Sequence, residues 1–98
     1  MTVFDKYPAP HPQVAARIID GEAVILLPEN VQVKVLNVVG SRIWELADGT
    51  RSVGEITKII VAEYDVTAQQ AERDVNEFIQ ELVDKKMLVL ADEKVAPA

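Results

Sequence analysis

The chain contains no cysteine. That absence excludes a disulfide framework, a thiolate metal site and a cysteine nucleophile, and it is compatible with a reducing cytosol. Histidine occurs once, as His11 between Pro10 and Pro12. A lone imidazole without an orienting partner reads as a solvated side chain rather than a general base. A serine triad therefore lacks its base. Long apolar runs are missing as well: none exceeds Ala23 to Leu27, which is far too short to span a bilayer. The first residues, Met1 to Asp5, lack a basic region followed by an apolar stretch, so they do not read as a signal peptide, and a cytoplasmic location is expected. Basic charge is scarce. Ten Lys and Arg against 16 Asp and Glu leave a net charge of −6. An acidic surface repels phosphate backbones, which disfavours nucleic acid as a partner.

What remains is a chain of 98 residues, 49% hydrophobic, which fits one globular domain with one modest core. Residues 1–13 read as an irregular, flexible arm, because Pro8, Pro10 and Pro12 each fix their own φ and restrict the residue before them. Residues 14–90 form the expected domain, and residues 91–98 a frayed tail. Val14 to Ile19 predicts a strand, Asp20-Gly21 a two-residue hairpin turn, and Ala23 to Leu27 a largely buried second strand. Pro28-Glu29-Asn30 predicts the next turn. Val31 to Val35 alternates apolar and polar residues, as a half-buried strand does.

From Asn37 the period becomes helical. Asn37 predicts an N-cap, and Asp48-Gly49 a stop. Ser52 with Glu55 and Thr67 with Gln70 predict capping boxes for two further helices. Their apolar stripes are Val53, Ile56, Ile59, Ile60 and Tyr64, then Ala71, Val75, Phe78, Ile79 and Leu82. Met87 to Leu90 suggests a short final strand. The expected class is α+β, a three-stranded antiparallel sheet followed by three helices, similar to a winged helix-turn-helix.

The run from Leu36 to Ile56 carries Leu36-Asn37, Ile43-Trp44, Leu46, Asp48-Gly49 and Glu55-Ile56 in order. Glu63-Tyr64-Asp65-Val66, Asp74-Val75, Phe78-Ile79, Leu82 and Met87-Leu88 follow. This succession resembles the PqqD family over roughly residues 14 to 90. The Ile43-Trp44-Glu45-Leu46 phrase is more similar to the broad family than to its quinone-pathway members, and Lys86-Met87 stands where a glycine is common. The resemblance implies a non-catalytic peptide chaperone, a recognition element without cofactor or metal. Such an element binds the leader of a ribosomally made precursor peptide. It works beside a modifying enzyme, such as a radical S-adenosylmethionine protein or a leader peptidase.

The residues themselves leave several readings open. Glu72, Asp74, Glu77, Glu81 and Asp84 are read as a solvated helix face, and no ligand spacing among them supports a metal. The same five acids, against Arg73, Lys85 and Lys86, oppose entry of this helix into a DNA groove. If Val31 to Leu36 is an edge strand, an extended peptide can pair with it, and Gln32, Val33, Lys34, Val35 and Leu36 become candidate binding residues. The alternative is an ordinary edge guarded by Lys34. At about 100° per residue, Ile79 and Val83 spread toward the flank of the third helix that carries Glu72 and Asn76. That flank either floors a groove beside the strand, or Ile79 and Val83 simply widen the core. Trp44 reads as a core anchor. An adaptor or winged-helix regulator without a peptide client is the alternative function, and an exposed edge also permits a homodimer.

Overall fold

The computed structural model describes residues 3–27 and 32–94. The tight hairpin forms where it is expected: Asp20 and Gly21 take φ of 51° and 82°, the left-handed pair a two-residue turn requires. It joins β2 (Ala15–Ile19) to β3 (Glu22–Leu27), and β4 (Gln32–Val35) completes an antiparallel sheet in the order β2-β3-β4. The expected turn at Pro28-Glu29-Asn30, and Val31, lie outside the described residues. Ala23, Ile25 and Leu27 of β3 are buried, whereas Leu26 on the opposite face is exposed. The second strand is thus largely buried, as expected, with Leu26 on the face that meets solvent.

The same register corrects the reading of β4. Leu26 pairs with Val33 and Val24 with Val35, so both valines share the outer face and stay exposed, while Lys34, opposite Ile25, takes the inner side. The valine alternation is real, but it points away from the core. An edge position explains this, because a lysine can lay its aliphatic stem along the core margin and leave its ammonium at the surface.

The expectation of an irregular arm over residues 1–13 is also corrected. A short 3-10 turn, Val3–Asp5, precedes β1 (Tyr7–Pro10), which pairs antiparallel with β5 (Leu88–Ala91). The prolines fit because the other edge of β1 is used through its carbonyls: Lys6 accepts from Val53 N–H at 2.9 Å and Pro8 from Gly49 N–H at 2.8 Å. Ala91 ends β5, Asp92 pairs with Lys6, and residues 95–98 of the expected tail lie outside the described residues.

The helices are α1 (Val38–Leu46), α2 (Val53–Glu63) and α3 (Ala68–Asp84). Asn37 Oδ1 accepts from Gly40 N–H at 2.7 Å, and Ser52 with Glu55 closes a reciprocal capping box. At α3 only half of the expected box forms. Thr67 Oγ1 accepts from Gln70 N–H, but the Gln70 amide donates to Asp74 Oδ1. Arg42 holds Glu63 through two parallel hydrogen bonds of 2.8 and 2.7 Å, tying α1 to the end of α2. Sheet and helices close over Ile25, Leu36, Ile43, Trp44, Ile56, Ile79 and Leu82, so Trp44 is a core residue as expected.

Candidate functional site

β4 is one of the sheet's two edges, and its hydrogen-bond phase can be read from one contact. Leu36 N–H donates to Ala23 O at 2.9 Å, so Leu36 faces β3. Backbone groups along a strand alternate sides. Lys34 therefore bonds to β3 as well, and the N–H and C=O of Val33 and Val35 point out along the free edge.

The C-terminal end of this strand is pinned from within. Ser41, buried on α1, accepts from Ala23 N–H at 2.6 Å and donates to Leu36 O at 3.2 Å. One hydroxyl thus joins β3, the end of β4 and α1. No sequence motif marks this role, since Ser41 lies one turn inside a helix where serine is unremarkable.

The second wall is α3. Lys34 Nζ lies 3.5 Å from Glu81 Oε2, so the flank of α3 that faces β4 carries Glu81. Phe78 and Asp74 share that flank, at helical spacings of three and four. Beside them, where β4 leads into α1, an open cleft of about 340 Å³ is lined by Asn37, Val39, Gly40, Tyr64, Asp74 and Phe78 among others. Gly40 allows the close approach: a Cβ there would meet Phe78 Cε1 at 3.0 Å.

Of the expected site residues, the structure brings together Val33, Lys34 and Val35; for Gln32 only its place in the strand is described. Leu36 belongs to the core. The expected groove floor of Glu72, Asn76, Ile79 and Val83 is corrected. Glu72 lines a different hollow with Phe4, Gly54 and Lys58, and Ile79 is buried in the core. Asn76 and Val83 are half-buried and stand about 140° and 160° around the helix from Glu81. The periodicity left two candidate flanks, and packing turned the other one, with Asp74, Phe78 and Glu81, toward the strand. Sequence reasoning missed these three, together with Gly40.

Charge on this side is mixed, one lysine against two carboxylates. Among the described residues, no three His, Asp or Glu side chains converge to hold a metal ion, and no helix is long and apolar enough to cross a membrane. His11 accepts from Gln13 N–H through Nδ1 and donates its backbone N–H to Met87 O.

Comparison with known proteins supplies a context for this edge. The family model described as "Coenzyme PQQ synthesis protein D (PqqD)" matches residues 22–88. Among solved structures, "TbiB1 in Complex with the TbiA(beta) Leader Peptide" is similar, with 34% identity and a TM-score of 0.77, covering 91% of this chain and 99% of that one. "Lasso peptide synthetase B1 complexed with the leader peptide" has 20% identity and a TM-score of 0.77, covering 85% and 98%, and shows the shared fold. No curated protein matches the chain. A match to the family model over well over half its length, on the fold just described, means that this chain belongs to the PqqD family.

Proposed function

We propose that this protein binds the leader of a ribosomally made precursor peptide as a fourth strand on β4, and that a separate enzyme performs the modification. The observation that carries the reading is the outward-facing backbone of Val33 and Val35 beside the Glu81 flank of α3. Such an edge supplies main-chain hydrogen bonds to an extended peptide, and a neighbouring pocket supplies selectivity. The cleft beside Gly40 and Phe78 is the pocket in reach of the strand's end, and its lining suits an apolar or aromatic anchor. The similar solved structures are complexes with leader peptides, which supports the same client class here.

In this reading the domain contributes no catalytic group. It raises the effective concentration of the leader beside its enzyme, for which a radical S-adenosylmethionine protein or a leader peptidase is the expected type. The chain works in the cytoplasm, where such precursors are made.

The test is fluorescence anisotropy with labelled leader peptides from short reading frames in the same locus, titrated with the protein and with Val33→Pro. The Val33 N–H is not used by the sheet, so proline there removes a donor to the guest and leaves the fold in place. Micromolar or tighter binding, about −8 kcal/mol, that is lost in a folded Val33→Pro variant supports strand addition. Binding that survives the proline moves the site elsewhere. No binding to any local peptide favours an adaptor without a peptide client.

A further inference from the structure

The strand-addition reading leaves open which side chains of the guest are read. We infer that Val33 and Val35 read them on the outer face of the sheet, selecting a peptide with β-branched or aromatic residues at two positions, i and i+2. This rests on the proposed pairing along β4.

Two alternations along a strand share the same period, the side of the backbone groups and the face of the side chain. On β4 they are locked so that the residues with free backbone groups, Val33 and Val35, are those whose side chains lie on the outer face. A guest residue set opposite either valine places its own side chain on that face, directly beside it. Its further neighbours are Leu26 and Val24, the cross-strand partners of the two valines.

Val33 and Val35 are 60% and 57% exposed, among the most exposed large apolar residues described. Edge strands are ordinarily guarded by an outward charge. Here the strand's lysine is turned to the inner face and engaged by Glu81. Among the described residues, the charges on the outer face are Arg17, on β2, and Glu22, at the hairpin end of β3; Arg17 lines a hollow on this face with Val24, Leu26 and Val33, but neither charge is on β4 itself. Among the described residues, the side chains of β4 on the outer face are therefore apolar and carry no guarding charge. Such an edge suits apolar cross-strand partners and disfavours charged ones. A second copy of this chain fits less well. It brings a charge of −6 against −6, and pairing centred on the two strands sets Lys34 against Lys34.

The test is selection of displayed short random peptides on the wild type, on Val33→Lys/Val35→Lys and on Val33→Pro, with light scattering for oligomeric state. Both valines are exposed, so the lysine variant keeps its fold. The wild type is expected to enrich β-branched or aromatic residues at i and i+2, and the lysine variant Asp or Glu at the same two positions. Exchanging the two peptide sets should weaken binding about two- to fivefold per position. Peptides that depend on the Val33 backbone, yet keep the same residues at those positions in both selections, overturn this inference and leave strand addition standing. If the wild type enriches nothing over Val33→Pro, strand addition falls and the inference with it. A dimer abolished by Val33→Pro, without peptide enrichment, assigns the edge to a second copy and likewise overturns it.

Discussion

The Lys34 ammonium lies 3.5 Å from the Glu81 carboxylate, bridging the sheet's edge strand to the third helix. Both side chains are partly exposed, so the pair is expected to add only about 0.5 kcal/mol to stability. Lys34→Ala should leave the urea midpoint of the free protein nearly unchanged. A loss of several kcal/mol would mean that the bridge holds the strand in place.

Proline should act with a two-residue rhythm along β4. Val33→Pro and Val35→Pro remove donors that face solvent, and both are expected to fold. Lys34→Pro removes a donor to β3 and strands a buried acceptor, costing on the order of 1–3 kcal/mol. Thermal denaturation of the three variants checks the phase of the strand. Equal losses at all three positions would contradict it.

Ser41→Ala deletes the hydroxyl that serves Ala23 and Leu36 together. A buried N–H is then left without its acceptor, so a loss of about 1–3 kcal/mol is expected. Hydrogen exchange should quicken at Ala23. Ser41→Thr, which retains the hydroxyl, separates loss of the bond from disturbance of the site.

Lys86 has φ of 62°, in the left-handed region, where it closes α3. Lys86 N–H donates to Val83 O and Met87 N–H to Leu82 O, the paired bonds of a glycine-type helix stop. A side chain is strained there, so Lys86→Gly should stabilise the protein by about 1 kcal/mol. An unchanged or lowered melting temperature would show that the lysine's own contacts outweigh the strain.

Stability should fall in acid. The Arg42 guanidinium holds the Glu63 carboxyl below its ordinary value of 4.5, and the Ser52 N–H does the same for Glu55. Burial pushes Asp48 upward, but the Thr50 hydroxyl and amide outweigh it and keep it below its ordinary 3.8. Depressed carboxyls stabilise the fold in full above their unfolded values, and that contribution disappears as pH drops through the lower folded ones. The urea midpoint should therefore decline from about pH 4.5 downward, and less steeply in Glu63→Gln. Parallel profiles for the two proteins would argue against the Arg42–Glu63 contribution.

Much of the architecture was legible because its signals are local. Asn37, Ser52 and Thr67 cap the helices they precede, Asp20-Gly21 turns the hairpin, and Ala71, Val75, Ile79 and Leu82 share the buried stripe of α3. The candidate edge strand was legible as well. The flank of α3 beside it was not, because a helix with an apolar stripe has two equivalent margins until something packs against one of them. Pairing of β1 with β5 was hidden for another reason: prolines obscure a strand whose outward carbonyls alone are used.

By itself, then, the sequence determined the succession of elements, their caps and turns, and the ordered motif of the family, since each depends on residues close together along the chain. Only the tertiary structure decided that the β4 valines face outward, that Glu81 rather than Val83 looks toward the strand, and that Ser41 fastens the strand's end. Those facts depend on strand register and on packing between elements, and a one-residue slip would have reversed the first of them.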